Sequence, residues 1–189
     1  MSSKASPMPP TPPNDAARVA TLFVVKLVVL TLLLGFGEAY LMQQSRQGSE
    51  GDWVFALREF VSRAGAALAH LFDARVQRDS VTIFGTGMQL VVSIECTALF
   101  AKALFCAAAI AYPARWRERL VGCVAGVFGV AGLNILRIAG LVLISGWIPS
   151  LFGFAHLVLM QWFLISCVAP MWLAWAVWAR KRARRSSGG

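Results

Sequence analysis

Three side chains in this sequence have the chemistry to break and remake a peptide bond: the thiol of Cys96, the imidazole of His156 and the guanidinium of Arg137. Arg137 is the most constrained. A guanidinium does not shed its charge, and placing one in hydrocarbon costs about 2.5 to 3.5 kcal/mol at the bilayer centre, less near an interface. It stands in Gly132-Leu133-Asn134-Ile135-Leu136-Arg137-Ile138-Ala139-Gly140, inside an apolar run from Leu120 to Ile148. Asn134, one helical turn earlier, shares its face, so the two can offer donors to one acceptor. On that stretch alone, an arginine reaching for the nearer interface and an arginine holding a ligand are equally open.

The elements that must position these groups follow from composition. The chain has 189 residues, 58% hydrophobic and only 14% charged, too apolar for a soluble domain and expected of a membrane protein. Its net charge of +9 does not point to nucleic acid. The basic residues gather at Arg115-Trp116-Arg117-Glu118-Arg119 and Arg180-Lys181-Arg182-Ala183-Arg184-Arg185, each against the end of an apolar run, where they read as cytoplasmic flanks. Cys96, Cys106, Cys123 and Cys167 have neither metal-ligand nor disulfide-framework spacing. No metal or cofactor is expected, and Cys106, Cys123 and Cys167 read as small hydrophobes.

The spacing predicts an all-α membrane protein: a four-transmembrane-helix bundle with an interfacial amphipathic helix and a short β-hairpin on the outer side. Residues 1–17, rich in proline, read as a disordered cytoplasmic tail. Residues 18–179 read as a single membrane domain with crossings at about 19–42, 94–112, 120–148 and 156–179. Lys26 lies early enough in the first crossing to reach the interface. That crossing is expected to stay as an anchor, since its flanks fit a cleaved signal peptide poorly. The segment 43–93 lies outside. Within it, Val54, Leu57, Val61, Ala64, Leu68 and Leu71 recur at helical spacing, predicting a helix along the interface. Val81–Phe84 and Met88–Val92 flank a glycine turn and predict the hairpin. Gly122, Gly126, Gly129 and Gly132 on the third crossing offer a close approach to another helix. Residues 180–189 form a basic cytoplasmic tail, so both termini face the cytoplasm.

In this topology Cys96 and Arg137 each lie about 16 to 17 residues from the basic end of their crossing, a rise of about 24 to 26 Å, and His156 opens the fourth crossing at its outer end. Thiol, imidazole and guanidinium are therefore expected at one level, on three adjacent helices facing outward. The chemistry that needs this set is acyl transfer to a cysteine. The imidazole takes the thiol proton, the thiolate attacks a peptide carbonyl, and the imidazolium protonates the leaving amine. A fixed cation then stabilises the oxyanion.

Through Glu95-Cys96-Thr97, Asn134-Ile135-Leu136-Arg137-Ile138 and His156 before a final apolar helix, the stretch Ser80–Trp178 resembles the exosortase/archaeosortase family of membrane transpeptidases. The resemblance implies Cys96 as nucleophile, His156 as general base and acid, and Arg137 as oxyanion or substrate-positioning group. Where many members carry Cys-Ser-Gly, this chain has Cys96-Thr97-Ala98. Its small size is similar to that of compact members such as the exosortase H subgroup. The implied function is that of a membrane cysteine protease or transpeptidase in the bacterial cytoplasmic (inner) membrane. It would cleave C-terminal sorting signals of exported proteins at the outer face, through a Cys thioester. Its partners would be those exported proteins, each bearing a short motif, a membrane helix and a basic tail, together with membrane lipids.

Two rival functions stand beside it: a non-enzymatic membrane scaffold or assembly factor, and a haem or quinone carrier. The carrier is disfavoured because haem ligation usually wants paired membrane histidines, and His156 stands alone in the crossings. Around the catalytic set, Asn134 and Glu95 are the candidate supporting residues. Glu95 and Lys102, seven residues apart, are expected to pair, and Glu38 is a further candidate partner for Arg137. His70, on the interfacial helix, is expected to face water or headgroups.

Overall fold

The computed structural model describes residues 13–47, 51–73, 75–85 and 89–186. The expected N-terminal tail falls mostly outside them. Helix α1 spans Pro13–Arg46, with proline at its first position, where a missing N–H costs nothing. At 34 residues it is about 51 Å long, enough to cross a bilayer with turns to spare. Thr21 and Thr31 donate their hydroxyls to carbonyls four residues back, so neither brings an unpaired polar group into lipid.

Helix α2, Asp52–His70, buries Val54, Val61, Ser62, Gly65, Ala66 and Ala69. Its apolar stripe therefore covers protein, where the sequence suggested headgroups. Gly65 is the closest approach: a Cβ there would stand 2.5 Å from Ile138 Cγ2. Trp53, Phe55 and Phe60 remain exposed on its other faces.

Three short strands follow, β1 Gln77–Asp79, β2 Thr82–Phe84 and β3 Gln89–Val91, in one antiparallel sheet ordered β1-β2-β3. Strands β2 and β3 pair where the hairpin was expected, with Ile83 opposite Leu90; its turn lies partly outside the described residues. Strand β1 was not expected, because Gln77-Arg78-Asp79 has no β-rich signature. Charged residues of α2 hold the sheet. Arg58 Nε donates to Val92 O at 2.8 Å, and Arg78 stands 3.6 Å from Glu59, which also pairs with Arg63. Ile83, Leu90, Val92 and Val76 point into a core shared with α2 and the third long helix.

The expected second crossing, 94–112, is broken. Ile94–Thr97 is a 3-10 turn, Ala98 is left-handed at φ 52°, and only Leu99–Ala111 (α3) is α-helical. Thirteen residues rise about 20 Å, short of the roughly 30 Å hydrocarbon core. Helix α4, Trp116–Trp147, runs antiparallel beside α3. Its start is fixed by the Glu118 carboxylate, which accepts the Arg115 N–H at 2.8 Å. After a 3-10 turn at Pro149–Leu151, one helical turn (α5, Phe152–Phe154) and a π-helical turn at Ala155–Leu159 lead into α6, Met160–Ser186. Helix α6 contains Pro170 and carries the basic cluster as part of the helix.

Among the described residues three helical stretches are thus long and apolar enough to cross a membrane: Ala17–Arg46, Trp116–Trp147 and Pro149–Arg185. The glycines of α4 are mostly filled from within. Trp175 occupies the space at Gly122, Phe105 at Gly126 and Met171 at Gly129, and Gly132 alone of the four is open. The face expected to admit a foreign helix is largely taken by α3 and α6. Phe23, Tyr112, Trp172 and Trp175 form an aromatic cluster joining α1, α6 and the α3–α4 connection.

Candidate active site

Cys96 lies in the 3-10 turn before α3, 4% exposed. The left-handed residue Ala98 separates that turn from the helix, so the thiol stands at a sharp bend rather than along a helical face. A non-glycine residue there costs about 1 to 2 kcal/mol, a strain held by the surrounding contacts. Two of these contacts flank the nucleophile. Lys102 Nζ donates to Thr97 O at 2.9 Å, and Thr97 Oγ1 donates to Ile94 O at 2.6 Å. The bend also explains why the expected Glu95–Lys102 pair does not form, since an i,i+7 spacing holds only along one continuous helix. Glu95 instead stands outward, 4.0 Å from Arg46 and 3.3 Å from Ser93 Oγ. Ser93 Oγ is also 3.5 Å from Cys96 Sγ. Its single proton serves one of them at a time; when it goes to the carboxylate, its oxygen can accept from the thiol.

Helix α4 supplies the next layer. Asn134 is fully buried, and its Nδ2 donates to Cys96 O at 2.7 Å. That bond tethers the turn of the thiol to α4, and Asn134 lies about 27 Å along α4 from Trp116, near the far edge of a hydrocarbon slab. Among the described residues Asn134 Oδ1, which is buried, has no partner. One turn on, Arg137 is 7% exposed, and its Nε is also buried without a partner among the described residues. Among the described residues no carboxylate lies within ion-pair distance of Arg137, Glu38 included.

His156 belongs to the π-helical turn, a rare geometry frequent at functional sites because it re-aims side chains relative to an α-helix. Its ring stacks on Phe152, with centroids 5.8 Å apart and planes within 12°. Its Nδ1 is buried and unpartnered among the described residues. The residue before it, Ala155, shares one buried cluster with Cys96 and with Ile138, Ala139, Leu141 and Val142 of α4. The 3-10 turn and the π turn thus pack on the same stretch of α4, with Asn134 and Arg137 there. Glu95 faces out of this cluster. His70 binds within the fold, its Nδ1 3.1 Å from Val76 O. Sequence reasoning did not single out Ser93, Thr97 as a buried bracket, or Phe152. Their roles come from a 3-10 turn and a π turn that no residue pattern announces.

These features define a class: a multi-pass helical membrane protein with a buried cysteine braced by polar residues of neighbouring helices. The profile of the transmembrane exosortase family matches residues 16–174, and the chain belongs to that family. The matched span contains Cys96, Asn134, Arg137 and His156. Exosortases are cysteine transpeptidases that process exported proteins. No curated protein and no solved structure matches the chain.

Proposed function

We propose that this exosortase cleaves the C-terminal sorting signals of exported proteins through a thioester on Cys96. The observation that supports the reading is that Asn134, whose Nδ2 holds the Cys96 carbonyl, Arg137 one turn further along α4, and His156 each keep a buried polar atom (Oδ1, Nε and Nδ1) without a partner among the described residues, as do Ser62, Arg119 and Trp172 elsewhere in the fold. Leaving one such atom unpaired costs about 1 to 3 kcal/mol, and more for a charged group. In this reading a bound peptide supplies the partners that Asn134, Arg137 and His156 lack.

In the first step His156 accepts the Cys96 proton, and the sulfur bonds to the carbonyl carbon as its π electrons move to oxygen. Arg137 Nε donates to that oxyanion, and Asn134 Oδ1 accepts a substrate N–H. Collapse breaks the C–N bond, and the amine departs with the proton from His156. An acceptor amine or water then releases the acyl group. Glu95 acts through Ser93, keeping its hydroxyl turned so that its oxygen faces the thiol.

Four apolar segments cross the bacterial cytoplasmic membrane in this reading. Helix α3 completes its crossing with the 3-10 turn, which adds about 8 Å. Both basic clusters sit at one end of the bundle, so that end and both termini are cytoplasmic and the site opens outward. A substrate whose membrane helix is stopped by its own basic tail would then present its motif at the level of Cys96. Helix α2 and its exposed aromatics lie at the outer interface.

The test is mass spectrometry of the purified full chain with a sorting-signal peptide. An acyl adduct on Cys96 is expected, and Cys96→Ala should abolish processing of exported substrates. Unchanged processing in Cys96→Ala would return the chain to a scaffold role.

A further inference from the structure

At the end of the bundle remote from Cys96, the start of α4 and the end of α6 enclose an open groove. Its α4 wall carries Arg115, Arg117 and, deeper, Val121; its α6 wall carries Trp178, Lys181, Arg182 and Arg185. On α6 these four positions recur at i, i+3, i+4 and i+7, a single helical stripe. The only acid in the lining, Glu118, is buried and already accepts the Arg115 N–H. Five cations therefore face one occupied carboxylate. Two guanidiniums are held against indole faces, Arg117 at 5.7 Å from the Trp116 ring and Arg182 at 5.3 Å from the Trp178 ring. The walls are tied together below by Trp175 Nε1 donating to Glu118 O at 3.0 Å.

We infer that this groove is a binding site for an anionic phospholipid whose headgroup carries two phosphates. Cations on both walls, from two helix ends brought together only by the fold, suit two phosphates better than one. The indoles are side chains that settle at the headgroup level. One turn into the bilayer the groove becomes apolar at Val121, followed on the same side of α4 by the exposed Val124. A free anion would leave that apolar floor wet, whereas a lipid covers it with its acyl chains. Basic pockets between spanning helices are general sites for such headgroups. The site is independent of the chemistry at Cys96.

Native mass spectrometry of the full chain in detergent provides the test, with a diphosphatidyl lipid, a phosphatidylcholine of matched chains, and inorganic pyrophosphate as probes. The wild-type chain should retain the diphosphatidyl lipid in preference to phosphatidylcholine, with pyrophosphate a poor competitor. The double variant Arg182→Gln/Arg185→Gln should weaken retention about tenfold or more, and Arg117→Gln on the opposite wall should weaken it several-fold. Arg180→Gln/Arg184→Gln removes the same charge off the stripe and should change retention less than about threefold. Equal losses in the two double variants would overturn the inference in favour of diffuse electrostatics. Full displacement by pyrophosphate would overturn it in favour of a soluble anion, and equal retention of phosphatidylcholine would leave no headgroup site.

Discussion

Arg137 is a buried cation without a counter-ion among the described residues, and Asn134 spends its amide N–H on the backbone of Cys96 while its oxygen stays free. The two residues are thus separable by substitution. Asn134→Ala removes the donor to the Cys96 carbonyl and should cost about 1 to 3 kcal/mol, seen as a lower Tm together with slower processing. Arg137→Lys keeps the charge but loses the planar set of donors. It should leave Tm near wild type while lowering the rate of acyl-enzyme formation by about 10²-fold or more, measured by single-turnover trapping of the Cys96 adduct. A comparable loss of Tm in Arg137→Lys would assign it a structural role. At this scale the sequence is legible. An Asn-x-x-Arg pair in an apolar run, a thiol and an imidazole stand out by residue type, because each is expensive in that setting. Ser93 does not, and Lys102 stands out but with the wrong partner, since both acquire their places only from the bend at Ala98.

The elements explain why small residues stand where they do. A Cβ at Gly126 would fall 2.1 Å from a Phe105 ring carbon, whereas a Cβ at Gly132 would meet nothing within 4 Å. Gly126→Ala should therefore destabilise the chain by about 1 to 3 kcal/mol through overpacking. Gly132→Ala should be neutral or slightly stabilising, because alanine is the better helix former. Thermal unfolding of the two variants in one detergent checks this, and equal shifts would contradict the packing described. The bend before α3 gives a second test. Ala98→Gly relieves the left-handed strain and should keep activity, while Ala98→Val, β-branched at positive φ, should displace Cys96 and abolish adduct formation. Helix positions and the hairpin were readable from periodicity. The shortness of α3 was not, because Ile94 to Ala111 is apolar enough to read as one helix and nothing in its composition marks the break.

On the scale of the molecule, the two basic clusters meet at one end of α4 and α6, and Asn134, bonded to the Cys96 carbonyl, lies about 27 Å away along α4. This separation makes orientation testable without any assay of catalysis. Gln77→Cys, exposed in the sheet, should react with a membrane-impermeant maleimide in intact cells lacking an outer barrier. Arg180→Cys should react only after the membrane is opened. The opposite pattern would invert the topology and leave the site facing the cytoplasm.

Hydropathy and the places where charge is tolerated are properties of local sequence, because transfer free energy is nearly additive along a chain. They determined that this is a membrane protein, which end carries the basic residues, and which polar side chains must have a purpose. Tertiary structure decided the rest. It sent the apolar stripe of α2 onto α4, filled the space beside Gly122, Gly126 and Gly129 with aromatic and methionine side chains, and turned Glu95 away from Lys102. It also brought the turn of Cys96 to Asn134 and the turn of His156 to the same stretch of α4. Each of these outcomes depends on close contact between segments distant in the chain, and the short-range fit that selects one such contact over another leaves no mark on any single segment.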